Sequence, residues 1–541
     1  MTHTRCRAFS DSSRASMAAR VAGSVVAILA ALSVGNPSAA FQPNTMRVGT
    51  LEIHPSLSAE MVCNDNISLT NDEQADVIFK EVPAISLQWG RTYVPVQGPR
   101  VANPHGLSLD FLLDFYLTRV VPLGERGYLG SGKPNIGLGK PMESAILSGL
   151  RFRKFSVALE YRPEIIHLVN HPEFNSIDHE VTLSGDVRIP GGVYVRLDNA
   201  FVSSTAVNSY RKEIADFTTV QRSEGIGFHT NLLSLTVGYN FYADYLLFLT
   251  YTNYLFFLRG FDAGQVLAGA EFPPLLDLEL EGVNSGTLGL NLQTVGIYFA
   301  TVLKRKTTVS LGYVWGRLQG NLEDFGLETR LLGDLVPVTV RIREDPRNAN
   351  LQELRFGFQR ALTSVQSVFG WPIPKTVLEG SFSYQWRDFD PSEIELNALG
   401  QPVLVVPFPR EPFREFFVDL RLISQVRSRT LLTGRFSRYP REAVGGSGNV
   451  STDWEGSLAL SQGIRERFDL DMTGLVRRND HADPSATQAS TWDFEAGASL
   501  GYRIQSWLQV GMAYQFLARE ADVDYNAYQS HRIRFRVLVF F

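Results

Sequence analysis

Cysteine is nearly missing from this 541-residue chain, which has only Cys6 and Cys63. Cys6 falls in a leader segment, so the mature chain keeps one thiol and has no intrachain disulfide framework. No cysteine stands at the end of the leader, which argues against a lipoprotein anchor. Long apolar runs are missing too. Beyond the leader, no stretch approaches the about eighteen apolar residues of a membrane helix. A 3.6-residue period never holds over a useful length, and no Pro/Ser linker or composition break divides the chain. Nor is positive charge in excess. Lys and Arg number 51 against 56 Asp and Glu, a net charge of −5. That balance gives no electrostatic footprint for nucleic acid.

The leader is informative. Arg5, Arg7, Arg14 and Arg20 precede the apolar run VAGSVVAILAALSVG (21–35), and Ser38 and Ala40 occupy the −3 and −1 places of a small-residue cleavage site. These features predict an export signal over 1–40, removed after Ala40, with Met17 as an alternative start. Losing four arginines and Asp11 takes the net charge from −5 to −8. The remainder, 41–541, reads as one domain.

What the chain does have is period-two alternation. In HRIRFRVLVFF (531–541), Ile533, Phe535, Val537, Val539 and Phe541 fall on one face of a strand, and Arg532, Arg534 and Arg536 on the other. In STWDFEAGASLGYRIQ (490–505), Trp492, Leu500 and Tyr502 share one face while Asp493, Glu495, Ser499 and Arg503 share the other. The stretch 507–520 returns with Val510, Met512, Tyr514 and Phe516 on one face, and 467–476 sets Asp469 and Asp471 against Leu470 and Met472. Strands with one lipid-facing and one wet side account for this pattern. Extended backwards, it predicts about twenty strands. They begin near 50, 76, 106, 143, 155, 179, 193, 226, 244, 286, 307, 350, 376, 413, 430, 452, 467, 490, 507 and 530. Short links alternate with long ones, and VPVTVRIRE (336–344) is either a strand extension or part of a loop. The fold expected is all-β: a transmembrane antiparallel up-and-down β-barrel of about 18–20 strands in the bacterial outer membrane.

The inward charges are the candidate functional residues. Closure sets the first strand beside the last, so Glu52, His54 and Glu60 of LEIHPSLSAEM face the lumen with Arg532, Arg534 and Arg536. Asp469, Asp471, Asp493 and Glu495 line it elsewhere, together with Arg151, Arg153, Glu160, Arg162, Glu379, Arg387, Asp419 and Arg421. Two readings stand: an ion-paired network that solvates the interior, or a charged path for a hydrophilic polymer. Phe541 is the expected handle for the barrel-assembly machinery.

Other motifs carry less. GYLGSGK (127–133) has phosphate-loop spacing, but Pro134 stands where a magnesium-binding hydroxyl belongs. His167, His171 and Glu173 suit a metal only on a helix, and CNDNISLTND (63–72) reads as a solvated turn before it reads as a calcium loop. No catalytic constellation, metal or cofactor is expected.

The opening RVGTLEIHPSLSAEMVCNDNI (47–67) with ADVIFKEVPAISLQWG, and the closing SLGYRIQSWLQVGMAYQF and YNAYQSHRIRFRVLVFF, resemble the β-barrel porin type 2 family. That resemblance implies a passive outer-membrane conduit for exopolysaccharide or capsular polysaccharide. It also implies a periplasmic polysaccharide export protein as partner, alongside outer-membrane lipid. A general diffusion porin is the alternative, and an outer-membrane enzyme or capsule-anchoring lectin a third. Strands starting about ten residues after cleavage argue against a plug-bearing, TonB-dependent receptor.

Overall fold

The computed structural model describes residues 46–67, 75–90, 155–172, 175–189, 192–204, 227–242, 245–261, 286–303, 307–322, 325–331, 334–342, 348–362, 367–368, 371–372, 375–391, 393–398, 404–407, 412–427, 430–442, 450–464, 467–480, 491–505, 507–521 and 527–540. The export signal, Arg151, Arg153, the glycine-rich loop 127–133, Glu173 and Phe541 lie outside them.

Eighteen strands form one closed antiparallel ring. In chain order they are β1 (Leu51–Asn64), β2 (Asp76–Gly90), β3 (Phe155–Leu168), β4 (Ser176–Ile189), β5 (Val193–Ser204), β6 (Gly227–Tyr242), β7 (Tyr245–Phe261), β8 (Gly286–Leu303) and β9 (Thr307–Leu322). The second half comprises β10 (Ala349–Leu362), β11 (Lys375–Phe389), β12 (Phe413–Arg427), β13 (Thr430–Glu442), β14 (Val450–Ile464), β15 (Phe468–Asp480), β16 (Thr491–Gln505), β17 (Leu508–Ala521) and β18 (Tyr528–Phe540). Each strand pairs with its chain neighbours. The ring closes where β18 meets β1, from Ser56 opposite Phe540 to Asn64 opposite Arg532. Closure satisfies the backbone without an edge, which a sheet in hydrocarbon requires. Because β2 pairs directly with β3, the strands expected near 106 and 143 take no place between them. Their residues lie outside those described.

Two features identify the surroundings and the orientation. The exposed side chains are the large apolar ones, such as Leu249, Ile297, Leu311, Leu354, Leu458, Met472, Leu500, Met512 and Phe535. The alternate, buried positions carry Glu164, Arg196, Glu353, Arg387, Asp453 and Arg477. A water-soluble protein has the reverse arrangement. Six of the eight links at one end are short, namely residues 190–192, 243–244, 304–306, 428–429, 465–467 and 506–507. Links 205–226, 262–285, 323–348 and 390–412 at the other end are long. Short turns mark the periplasmic side and long loops the extracellular side. Residues 91–154, which join β2 to β3 at the short-turn end, lie outside the described set.

Seven further short strands decorate the ring. Met46–Val48 folds back on Leu51–Ile53 through a two-residue turn in which Gly49 adopts φ 64°. Glycine fits the first position of such a hairpin turn because it has no Cβ to clash. Trp89 Nε1 donates to Thr50 Oγ at 2.6 Å and ties this turn to β2. The short strand covers the stretch of the β1 edge that β18 does not reach. On the extracellular side, Phe325–Leu331, Asp334–Ile342, Glu393–Ala398 and Leu404–Pro407 form a separate four-stranded sheet. Residues 336–342 of the segment 336–344 therefore belong to a loop hairpin and not to the wall. Ser367–Val368 and Trp371–Pro372 make a small hairpin between β10 and β11.

Candidate functional site: the inward face

At the seam, Glu60 lies 3.0 Å from Arg536 Nε and 3.9 Å from Arg534 Nε, and Arg536 Nε also donates to Ser58 Oγ at 3.0 Å. Glu52 sits below the end of β18, opposite Arg47 in the register, and its carboxylate is 3.7 Å from His54 Nε2. Arg532 stands opposite Asn64 and Gln515. Farther round, Arg519 holds Asp493 at 2.6 and 3.1 Å, and Gln515 donates to Glu495 at 2.9 Å. Asp471 accepts from Ser461 at 2.5 Å and Ser499 at 3.4 Å, while Asp469 lies opposite Gly463 and Gly501. These ten residues thus share one face of the ring but do not converge on one point. They join several local pairs.

The wall holds more of these pairs. Lys80 meets Glu164 at 2.7 Å, Arg162 grips Glu180 at 2.7 and 3.1 Å, and Arg196 pairs with Asp198. Arg355 binds both oxygens of Glu353, at 2.5 and 2.6 Å, and Gln385 donates to the same carboxylate at 3.2 Å. Arg387 Nε reaches Gln385 at 2.9 Å. Arg435 clasps Asp419 at 2.6 and 2.9 Å, and Arg477 reaches Glu455 at 3.0 Å. Such forked guanidinium–carboxylate pairs are strong and fix side-chain direction. Glu353 with Arg355 and Arg196 with Asp198 were not singled out from the sequence, and Arg162 was, but without Glu164, which lies 3.8 Å from it. Their signal was there: opposite charges two residues apart in a strand lie on one face.

One quadrant differs. On β6–β9 the inward positions from Thr230 to Leu318 carry no charged residue among those described. Instead Tyr298, 2% exposed, stacks on Phe248 at 4.9 Å and lies flat over Gly312 and Gly296. A Cβ at Gly312 would come within 2.1 Å of that ring. Glycine is there to admit the aromatic.

The described parts of the loop candidates, 63–67 and 167–172, form rim structure, and 68–72 lie outside the described residues. Asp76 accepts from the backbone N–H groups of Val77, Val169, Asn170 and His171, and its Oδ2 lies 2.9 Å from His171 Nδ1. His167, opposite Phe79, alternates to the outer face. Asn64 accepts from Asn66 N and Ser530 Oγ, and Asp65 from His531 N. Among the described residues no three His, Cys, Asp or Glu gather to hold a metal.

A closed ring with an apolar exterior and a polar interior defines a transmembrane β-barrel of the bacterial outer membrane. No family model matches the sequence, and no curated protein matches it. Solved structures similar to it are themselves outer-membrane barrels, at low identity. The unliganded ferric citrate transporter FecA is 8% identical, with 86% of this chain and 60% of that one covered and a TM-score of 0.37. The chain thus spans less than two thirds of the FecA length. The ferric-catecholate import receptor Fiu of E. coli K12 is 6% identical over 90% of this chain and 81% of its own, with a TM-score of 0.40. The ferric yersiniabactin uptake receptor FyuA of Yersinia pestis is 7% identical over 90% and 80%, with a TM-score of 0.41. The expected polysaccharide-export role is corrected here. The three barrels named above are iron transporters and receptors, and the polysaccharide and the periplasmic export protein are withdrawn as partners.

Proposed function

We propose that the chain is a passive, water-filled diffusion channel for small hydrophilic solutes. One observation carries the reading: eighteen strands close around an inward face lined with polar and charged side chains. Rings of 16–18 strands leave an aqueous channel, whereas about eight strands fill their own interior. Both signs of charge interleave along most of the wall, so the field along the path is weak and selectivity among small ions is low. The barrel acts by conduction and not by catalysis. It is made with the leader 1–40, matures as the single domain 41–541, and is inserted by the barrel-assembly machinery with the terminal Phe541 as signal. Its opening and closing segments keep the β-barrel porin type 2 family as its proposed kin. The test is reconstitution of the full mature protein in planar bilayers. Stepwise, ohmic conductance with weak ion preference is expected. Inserted, heat-modifiable barrel that conducts nothing would overturn the proposal.

A further inference from the structure

Three inward charges on one side of the ring lack the partners that most of the wall supplies. Asp469 makes no hydrogen bond or ion pair among the described residues, and Arg503 acts on it only from farther off. Asp471 accepts from the hydroxyls of Ser461 and Ser499 and from no cation among the described residues. Arg534 comes within 3.9 Å of Glu60 through Nε alone, and its side chain is 41% exposed. Arg532 and Arg536, by contrast, are engaged.

The register brings the three together. One row across the strands runs Arg534, Ala513, Ser499, Asp471, and the next runs Arg536, Gly511, Gly501, Asp469. Between the arginines of β18 and the aspartates of β15, no side chain in either row is larger than that of serine. The result is a bare floor with cations along one side and two carboxylates along the other. Asp469 follows the short turn 465–467 by two residues, which places the floor in the periplasmic half of the lumen. Gln509 borders it, on the inward face of β17 with Gly511 and Ala513. It is 5% exposed, and its Oε1 is buried with no hydrogen-bond donor among the described residues. A buried acceptor costs stability when unmatched, so this one marks a place for an N–H that the wall does not provide.

We propose that this floor binds small zwitterions, amino acids and dipeptides, on their way through the channel. The inference rests on the channel reading above and names its solute class. Two carboxylates on one strand face, neither paired with a guanidinium, favour a cation beside them. An ammonium fits, since it brings three donors and no acceptor, and Gln509 Oε1 offers a further acceptor for an amino or peptide N–H. The carboxylate of the solute takes the forked donors of Arg534, which has only Ala513 to cross. β18 and β15 stand three strand spacings apart, about 14 Å, and arginine, the longer side chain, covers much of that span. The gap left between the charged ends is that of a small molecule.

The full mature protein is reconstituted in planar bilayers, and block of its potassium chloride current is titrated with dialanine. N-acetyl-dialanine, which lacks the ammonium, and dialanine methyl ester, which lacks the carboxylate, are the comparisons. Dialanine should block at a concentration about tenfold or more below either, the loss of one charge-assisted hydrogen bond. Asp469→Asn/Asp471→Asn and Arg534→Gln, each checked for heat-modifiable folding, should raise the half-blocking concentration by a similar factor. Glu415→Gln, away from the floor, should leave it unchanged. Equal block by either analogue, or wild-type block in both folded variants, would overturn the proposal while the open-channel current upholds the channel. If the inserted barrel carries no current, the channel reading falls. Calorimetric titration of the same three compounds into the detergent-solubilised barrel then decides the site by the same ranking.

Discussion

Strands β6–β9 and strands β10–β16 build their inward faces from different chemistry. The first group contains the longest strands of the ring, 16 to 18 residues, and places its side chains by shape. Tyr298 lies on Gly312 because no Cβ is in the way. The second group places its side chains by charge, with Glu353, Arg355 and Gln385 each fixed by a partner. A shape-held wall fails when volume is added. A charge-held wall fails when one member of a pair is removed. The same barrel therefore has two kinds of weak point, and substitutions can separate them.

The largest effect belongs to the charged wall. Arg355→Met leaves Glu353 with its side chain 4% exposed and stripped of its forked partner, which should cost about 3–5 kcal/mol. Urea unfolding followed by heat-modifiable gel mobility reads this, and a loss below 1 kcal/mol would mean that water reaches the pair freely. Next comes the uncharged quadrant. Gly312→Val drives a side chain into Tyr298 and should cost about 1–3 kcal/mol by overpacking. Adding Tyr298→Ala should recover much of that loss, and a failure to recover would place the strain elsewhere. The smallest effect is at the seam, where Arg536 is 28% exposed beside Glu60. Arg536→Gln should change stability by about 0–1 kcal/mol while shifting the ion preference of bilayer conductance toward cations. Unchanged selectivity would show that this arginine does not face the conducting path.

How much of this was legible depended on how cleanly each strand alternates. Thr491–Gln505 could be read directly, because charge and bulk never share a face there, and so could the middle of Tyr528–Phe540, where only Tyr528, Leu538 and Phe540 at the ends join the arginine face. All eighteen ring strands begin within a few residues of a predicted start. β7, YLLFLTYTNYLFFLRGF, was visible as a strand, but its faces were not, since apolar residues occupy both. Its quadrant buries apolar side chains inside as well as exposing them outside, so period two loses its contrast. The loop hairpin Asp334–Ile342 has strand composition and was ambiguous for that reason. Composition records β-propensity but does not show whether a strand joins the wall or a loop sheet. Of the inward pairs, those two residues apart could be read locally. Those between strands, such as Arg435 with Asp419, required the register.

The short N-terminal strand has a consequence for the width of the channel. Alternation forbids a slip of β18 along β1 by one residue, because every side chain would change faces. It does not forbid a slip by two, which keeps arginine inward and phenylalanine outward. Something else has to prevent that, and Met46–Val48 can. Phe540 now ends opposite Ser56, and Ile53 is already paired with Met46. A two-residue slip toward that end would bring the residue after Phe540 onto Ile53 and displace the hairpin. Stagger and strand number together set the diameter of a barrel. This three-residue strand therefore works as a mechanical end-stop, and it gauges the bore of an eighteen-strand ring from a single point on its circumference.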